Sequence, residues 1–289
     1  MLNHTINKML NNTVSKILNH TVNKILNHTV NKMLNHTVNK MLNHTVNKIL
    51  IVFGLFVINI FVIDINCCDA NDFSTLNEKI EFYKQRYKVN CLNEKITDNR
   101  GNGFDDLYGT RNMKSILFGI AYRGGANNFY HKSNKRDNQN PLQDDGLGNL
   151  SNEGFSTAIY LYGKNFSTAP KIITKNKDTL KYIQNSGMSR NTQKEILQMV
   201  YDRIENPNLG PIYLHCWNGW HQSGYIAAII LMQYCNFSNQ QALEYWEMNT
   251  DGDYKKFDNL KKMMANFIPF EEFRIDKETQ KLICPCMKQ

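Results

Sequence analysis

The sequence lacks an apolar run long enough for an ordinary transmembrane helix. Its longest run, residues 49–63, has 15 residues, whereas a membrane-spanning helix needs about 20. Asp64 follows, and then the small residues Cys68-Asp69-Ala70. This pattern is typical of a secretory signal peptide with its cleavage site, and a retained membrane anchor is the alternative. We therefore expect residues 71–289 to be secreted or lumenal, or anchored at a membrane by residues 49–65.

Acidic residues are absent from residues 1–48, which repeat an octapeptide similar to MLNHTVNK six times and carry six lysines. The eight-residue period matches neither the seven- nor the eleven-residue pattern of supercoiled helices. Asparagine and threonine are also poor helix formers. The repeat predicts low-complexity sequence without a packed core. A chain begun at Met41 would place a short basic segment before the apolar run. Met1 and Met41 are therefore both candidate translation starts.

The sequence also lacks a charge pattern that would indicate nucleic-acid binding. The formal net charge is +8, but the six lysines of the repeat supply most of it. Residues 49–70 hold two acidic side chains, so residues 71–289 retain only +4. Walker loops, dinucleotide-binding glycine motifs and nucleic-acid motifs are also missing. We expect no nucleic-acid partner.

Cysteines are few, and their number in residues 71–289 is odd. The five in this region are Cys91, Cys216, Cys235, Cys284 and Cys286. If Cys216 is a free nucleophile, four cysteines remain, which is enough for two disulfides in an oxidising compartment. Free cysteines in these positions are the alternative.

Strand patterns alternate with helix patterns through residues 71–289. This order predicts one α/β domain of three layers, with a mixed or parallel sheet flanked by helices. The predicted helices cover residues 73–88, 142–155, 189–206, 223–235 and 256–268, with another capped by Ser238. The first of these has Ser74 or Thr75 as its expected cap, and the third has Ser189 or Asn191. The predicted strands cover residues 115–122, 156–162 and 211–216, and the predicted loops residues 97–110 and 126–141.

The most informative stretch is HCWNGWHQSG, residues 215–224. It joins a predicted strand, which ends at Cys216, to a predicted apolar helix. A tight loop here would turn several backbone N–H groups toward one point on the helix axis, which makes an anion site. Gly219 would allow the backbone conformation that such a loop needs. The same positive field favours the thiolate form of Cys216, which is a nucleophile for phosphoryl transfer.

This stretch resembles the signature loop His-Cys-x-x-Gly-x-x-Arg-Ser/Thr-Gly of the cysteine-dependent protein tyrosine and dual-specificity phosphatases. The matching residues are His215, Cys216, Gly219, Ser223 and Gly224, while Gln222 takes the place of the arginine. The resemblance extends to AYRGG at residues 121–125, to GLGNLSNEGFSTAIYLY at residues 146–162 and to the helix at residues 189–206. It covers about residues 112–248 and implies a phosphatase-like fold.

The resemblance also implies roles for individual residues. Cys216 would be the nucleophile that forms a thiophosphate intermediate, Ser223 would tune its sulfur, and His215 would support the loop. His221 is a further candidate catalytic residue. The candidate phosphate-binding residues are Trp217, Asn218, Gly219, Trp220, Gln222 and Arg123. For the two tryptophans, packing against the domain is the alternative to forming a wall for a substrate ring.

Two departures from the family pattern affect the predicted activity. An arginine would bind two phosphate oxygens at once, which the neutral Gln222 cannot do. Removing one strong transition-state donor typically costs about 3–4 kcal/mol. The family also uses an aspartate as general acid, and Asp178 is the single aspartate in residues 163–201; we expect it to be a solvated loop residue. His221 and Arg123 are the candidates that could replace the missing charge; the alternatives are a structural or solvent-facing loop residue for His221 and an ion-pair partner within the scaffold for Arg123.

The expected activity is therefore hydrolysis of a phosphomonoester, carried by a phosphorylated protein or a small molecule, without a metal or other cofactor. A catalytically inactive module that binds phosphate or a phosphoprotein is the main alternative. A third reading is a hydrolase or transferase that acts on another group, with Cys216 as nucleophile and His221 as base.

Overall fold

The computed structural model describes residues 73–126, 141–175 and 178–286. The predicted repeat (residues 1–48), the signal or anchor segment (residues 49–70) and nearly all of the predicted loop at residues 126–141 lie outside the described residues. Within the described part of the chain, no helix is both long enough and apolar enough to span a membrane.

The elements alternate between strands and helices along most of the chain. The helices are α1 Leu76–Tyr87, α2 Asp144–Asn152, α3 Arg190–Glu205, α4 His221–Tyr234, α5 Asn239–Met248, α6 Asp258–Ala265 and α7 Lys277–Ile283. The strands are β1 Thr110–Leu117, β2 Ala121–Ala126, β3 Thr157–Tyr160, β4 Ile172–Lys175, β5 Asp178–Gln184 and β6 Ile212–Cys216. Short 3₁₀ helices cover Asp105–Leu107 and Glu271–Phe273.

The six strands form one mixed sheet in the order β1-β2-β6-β3-β5-β4. The four inner strands are parallel, and each edge strand is antiparallel to its neighbour. The predicted α/β class with a mixed sheet is confirmed. Strand β6 lies at the centre, between β2 and β3, so the loop that follows Cys216 emerges from the middle of the carboxyl edge.

One face of the sheet packs against α1 and α2 through aromatic rings. Tyr83 of α1 contacts Tyr122 of β2, with 6.2 Å between ring centroids. Phe155, which follows α2, contacts Tyr213 of β6 edge to face at 6.4 Å. All four rings are buried, and their burial holds this layer on the sheet by the hydrophobic effect.

The other face packs against α3, α4 and α5. Successive strand residues point to opposite faces, so Arg123, which follows Tyr122, lies on this side, near the ring of Tyr245 in α5. The Tyr234 hydroxyl at the end of α4 donates to the carbonyl of Leu197 in α3 at 2.8 Å. Helix α4 is buried along almost its whole length, which explains its apolar sequence.

Capping groups identify several helix starts as the sequence predicts. Thr75 caps α1 and accepts a hydrogen bond from the Glu78 N–H. Ser189 and Ser238 each form a reciprocal capping box, with Thr192 and Gln241 respectively. Such caps are local features of the sequence, and these predictions are confirmed.

The predicted single strand at residues 115–122 is wrong, because this stretch contains a tight hairpin. Strands β1 and β2 pair antiparallel, with Leu117 opposite Ala121. Gly119 lies between them with φ +68°, a conformation that glycine adopts at no steric cost. The stretch reads as one strand because its residues are buried on both sides of the turn.

Asp178 begins strand β5, so its prediction as a loop residue is also wrong. Strands β5, β3 and β6 are parallel, and Lys181 is level with Thr157 and Ile212. Asp178 precedes Lys181 by three residues. At about 3.3 Å per residue, its backbone lies roughly 20 Å along the strand direction from the level of Cys216. This position does not suit a general acid for a reaction at Cys216.

Two disulfides attach the end of the described chain to the domain. Cys235, which follows α4, pairs with Cys284, and Cys91 pairs with Cys286. Cys216 is the free cysteine of the described residues. The structure therefore selects the predicted arrangement of two disulfides and one free thiol.

Candidate functional site

The loop at residues 217–220 joins strand β6 to helix α4. The helix begins at His221, two residues earlier than predicted, so His221 and Gln222 belong to its first turn. Trp220 occupies the N-cap position and its side chain makes no capping hydrogen bond. The first N–H groups of the helix are therefore left to a ligand or solvent, as they are at helix starts that bind anions.

Six consecutive carbonyl groups, from Cys216 at the end of β6 to His221 at the start of α4, each accept a hydrogen bond. Their donors, in order, are His215 Nδ1, Ala126 N–H, Asn112 Nδ2, Arg123 Nη1, Gly224 N–H and Trp246 Nε1. In a trans peptide the C=O and the next N–H point in opposite directions. Fixing the carbonyls on the outside turns the N–H groups of residues 217–222 toward the inside, an arrangement that suits an anion.

Two glycines allow the loop to lie directly on strand β2. Gly219 has φ +77°, and a Cβ there would approach the Gly124 carbonyl carbon to 2.7 Å. A Cβ on Gly125 would lie 2.4 Å from the Trp217 carbonyl oxygen. Any side chain at these positions would push the loop off the strand. The AYRGG segment is thus the surface on which the loop rests.

Cys216 lies at the base of the loop and is only 7% exposed. Its Sγ is 3.4 Å from Ser223 Oγ, and Ser223 is fully buried. A hydroxyl at this distance can donate to a thiolate. The geometry therefore allows the hydrogen bond expected between Ser223 and the Cys216 sulfur.

His215 is buried and hydrogen-bonded at both ring nitrogens. A carbonyl only accepts, so Nδ1 carries the proton that it donates to the Cys216 carbonyl at 3.2 Å. Nε2 then accepts from the Tyr182 hydroxyl at 2.9 Å, and the Leu142 N–H donates to the same hydroxyl at 2.9 Å. Burial lowers the pKa of His215 to about 4, opposed by the bond to the Cys216 carbonyl. His215 is therefore neutral near pH 7 and supports the loop, as predicted.

A pocket of about 410 Å³ opens above Cys216. Its walls are mainly aromatic and aliphatic. Apart from Cys216 and His221, the polar side chains are the amides of Asn218, Gln222 and Asn259. The described lining residues are Tyr162, Met188, Cys216, Trp217, Asn218, Trp220, His221, Gln222, Phe257, Asn259 and Leu260. Gln222 thus lines the pocket at the position where the signature loop has an arginine.

His221 forms one side of this pocket and is oriented by the segment between α5 and α6. Its ring stacks on Phe257 with 3.7 Å between centroids, and its Nε2 donates to the Asp253 carbonyl at 2.5 Å. The Asp253 carboxylate is 3.6 Å from the same nitrogen. Burial lowers the pKa of His221, and the bond and charge of Asp253 oppose this. The lone pair of the neutral ring is therefore on Nδ1.

Arg123 supports the loop from behind and is not among the described residues that line the pocket. It is fully buried, and its Nη1 donates to the Gly219 carbonyl at 2.7 Å. Its Nε and Nη2 have no hydrogen-bond partner within the described part of the chain. The predicted neighbour relation between the Arg123 strand and the Cys216 strand is confirmed, since β2 pairs with β6.

Lys114 is a second buried cation beside Arg123. The two residues are opposite each other in the β1–β2 pair, and Lys114 is 5% exposed. Its Nζ donates to the Asn249 side-chain oxygen. Burial first, and then the charges of Arg123 and Lys95, lower the pKa of Lys114 to about 7, while Asp251 opposes the shift.

The two tryptophans of the loop pack differently. Trp217 donates from Nε1 to the Tyr160 hydroxyl at 2.9 Å and its ring lies 4.2 Å from that of Tyr162. Trp220 Nε1 is buried without a partner among the described residues. Both also line the pocket. Trp217 therefore packs against the domain and also forms part of the pocket wall.

Several residues of this site are not among those predicted from the sequence. They are Asn112, Lys114, Tyr182 and Asp253, and each comes from an element distant in sequence from the loop. No local motif marks them, although the charged Lys114 just before the apolar run of residues 116–121 is a signal that could have been followed. Among residues 73–126, 141–175 and 178–286, no group of three or more His, Cys, Asp or Glu side chains is placed to hold a metal.

Comparisons with known proteins give matches only among solved structures. No protein-family model matches the chain, and no curated protein matches it. A structure of TpbA from P. aeruginosa is similar with 15% identity over 53% of this chain and 85% of that one, at a TM-score of 0.35. Tk-PTP in its active form is similar with 14% identity over 54% of this chain and 97% of that one, at a TM-score of 0.37.

A third similar structure is PTPMT1 in complex with PI(5)P. It shares 13% identity over 53% of this chain and 94% of that one, at a TM-score of 0.35. These similar structures are thus structures of protein tyrosine and dual-specificity phosphatases.

Proposed function

We propose that the domain at residues 71–289 hydrolyses phosphomonoesters through a phosphocysteine on Cys216. The observation that carries this proposal is the outward fixing of six consecutive carbonyls around the free, buried thiol. Such an arrangement directs N–H groups to one point above a nucleophile, and preorganised donors of this kind stabilise developing negative charge. Phosphorylated proteins and small phosphomonoesters both remain candidate substrates.

In the first step the Cys216 thiolate attacks phosphorus and the ester oxygen leaves. The N–H groups of residues 217–222 bind the phosphoryl oxygens, and the Gln222 amide adds a neutral contact. In the second step water attacks the phosphocysteine and Cys216 leaves as a thiolate, with Ser223 donating to its sulfur. His221, neutral at pH 7 with a free Nδ1, accepts the proton of that water.

An inactive binding module is the second candidate, and Gln222 favours it. The amide cannot neutralise a phosphoryl group as a guanidinium does, although the loop still offers its N–H groups. A hydrolase or transferase that acts on another group would share the Cys216 and His221 roles. All three readings use the same pocket, so activity measurements separate them.

The experiment is hydrolysis of an aryl phosphate by the full-length protein, compared with Cys216→Ser and Gln222→Arg. Loss of turnover in Cys216→Ser supports the phosphatase. No turnover in the wild type, with turnover gained in Gln222→Arg, supports the binding module. If none of the three proteins binds phosphate or vanadate, both proposals fail. A phosphotyrosine peptide and PI(5)P extend the assay to a protein-derived and a lipid substrate.

We also propose that this domain works outside the cytoplasm, secreted or anchored through residues 49–65. Disulfides are typical of oxidising compartments, and two are formed by the described cysteines other than Cys216. Disulfide mapping of protein isolated from its source with free thiols blocked tests this. Recovery of Cys91 and Cys235 as blocked free thiols would contradict it.

A further inference from the structure

The amide at the arginine position differs from arginine in more than charge. A guanidinium only donates hydrogen bonds, whereas an amide donates through its NH₂ group and accepts through its oxygen. Gln222 lines the pocket above Cys216, with Asn218 and Asn259 as further amides. A pocket of this composition can accept a hydrogen bond from a protonated phosphoryl oxygen, which an arginine cannot do.

The charges around the pocket also favour a protonated, singly charged phosphoryl group. The reacting form of Cys216 is negative, and the N-terminus of α4 contributes only about half a positive charge. Arg123 lies behind the loop, where its Nη1 donates to the Gly219 carbonyl. A doubly charged phosphate would therefore be repelled by the thiolate more strongly than a singly charged one, with no described cation lining the pocket to offset it.

We propose that this pocket selects the singly charged, monoprotonated form of a phosphomonoester, and that the substrate's own phosphoryl proton departs with the leaving group. The inference rests on the proposed function. Gln222 donates from its NH₂ to a charged oxygen and accepts from the P–OH. The Cys216 sulfur forms a bond to phosphorus, the P–O ester bond breaks, and the phosphoryl proton moves to the ester oxygen. A thiolate and a monoanion become a dianionic phosphocysteine and a neutral alcohol, so charge and protons balance.

The proposal accounts for two departures from the family pattern at once. A substrate that brings its own proton needs no aspartate general acid, and Asp178 is too far along β5 to act as one. The same proton reduces the charge that an arginine would otherwise neutralise.

The titratable groups facing Cys216 and the loop are His221 on α4, His215 and Tyr213 on β6, Arg123 on β2, Lys114 on β1, Asp253 before α6, and Tyr160 and Tyr162 at the end of β3. His215 is neutral above about pH 4, and the Nε2 proton of His221 is held by Asp253. Lys114 donates to Asn249. A phosphomonoester loses its second proton near pH 6. Lys114, whose pKa is about 7, changes charge in the same pH range as a phosphoryl group, so the comparison of two ligands at one pH isolates the substrate's ionisation.

The test measures binding, so that it does not depend on turnover. The full-length protein is treated with iodoacetamide, and protection of Cys216 is titrated with benzylphosphonate and with its α,α-difluoro analogue. Fluorine lowers the second pKa of the phosphonate, so at pH 7 less of the analogue is monoprotonated. We expect benzylphosphonate to protect at the lower concentration. Binding of each ligand should weaken about tenfold per pH unit above that ligand's own second pKa, whereas a loss due to deprotonation of Lys114 would set in at the same pH for both ligands.

Two variants of Gln222 sharpen the test. Gln222→Arg should reverse the order of the two ligands at pH 7, because a cation favours the dianion. Gln222→Met has similar length but neither donor nor acceptor, and should remove the preference for the protonated ligand. Tighter binding of the difluoro analogue to the wild type, or affinity that rises with pH, overturns the inference. If Cys216-dependent hydrolysis is present in that case, the proposed function stands; if neither ligand protects Cys216, both fall.

Discussion

Arg123 donates a hydrogen bond from Nη1 to the carbonyl oxygen of Gly219 at 2.7 Å, which ties strand β2 to the middle of the candidate phosphate loop. The guanidinium is fully buried and fixes the peptide whose N–H belongs to Trp220. A residue outside the loop therefore sets the orientation of one of the N–H groups that we propose bind the anion.

Replacing Arg123 should weaken anion binding as well as stability. In Arg123→Met the Gly219 carbonyl loses its donor, and a hydrogen bond to a charged group is worth about 1.5–3 kcal/mol. We expect phosphate or vanadate affinity to fall about tenfold or more and the melting temperature to drop. The matched control is Lys79→Met, because Lys79 is equally buried and donates to the Leu209 carbonyl, outside the pocket lining. Equal loss of anion affinity in both variants would contradict this role.

The Tyr182 hydroxyl should support the nucleophile through His215. Tyr182→Phe removes the donor to His215 Nε2 and the acceptor of the Leu142 N–H. We expect a loss of about 1–3 kcal/mol in unfolding free energy and a changed pH profile of Cys216 alkylation. Tyr234→Phe deletes a comparable buried hydroxyl on α4 and serves as the control. It should lower stability but leave the alkylation profile unchanged; the same profile in both variants would argue against the link.

The sequence predicts well those features that depend on local chemistry. Helix starts follow from the caps at Thr75, Ser189 and Ser238, and the strand–cysteine–loop–helix order follows from residues 211–235. These patterns need no information on distant residues, and the structure confirms them.

Features that depend on distant contacts are not predictable from the sequence in the same way. The turn at Gly119 is not predicted from the sequence because the residues on both sides of it are buried and read as one strand. Strands β4 and β5 are missed because their exposed positions carry polar residues such as Lys181. Asp253 orients His221 from 32 residues away. Four cysteines permit three pairings, and only the fold selects one.

Protonation of His215 should destabilise the fold in acid. Its pKa is about 4 in the folded protein and about 6.5 when unfolded, so the unfolded chain binds the proton first as pH falls. The stability due to the neutral ring is complete above about pH 6.5 and is lost between there and pH 4, on the order of 3 kcal/mol. Urea unfolding of the wild type and His215→Asn at several pH values measures the difference. An equally steep loss of stability in the variant would contradict this assignment.

The disulfide after α4 should stabilise the helix that starts at the loop. Cys235 and Cys284 are separated by 49 residues, and closing such a loop is worth about 4 kcal/mol in the chain-entropy view. The double variant Cys235→Ser/Cys284→Ser should melt at a lower temperature than the wild type under non-reducing conditions. The double variant Cys91→Ser/Cys286→Ser gives the comparison with the other disulfide. A melting temperature unchanged by either double variant would contradict the structural role of these bonds.

The most direct test of the central claim is to trap the intermediate. The full-length protein is mixed with an aryl phosphate, quenched rapidly in acid and digested, and the peptide that contains Cys216 is weighed by mass spectrometry. We predict the added mass of one phosphoryl group on Cys216 in the wild type and none in Cys216→Ala. Hydrolysis that proceeds without phosphocysteine, or that persists in Cys216→Ala, would contradict the account.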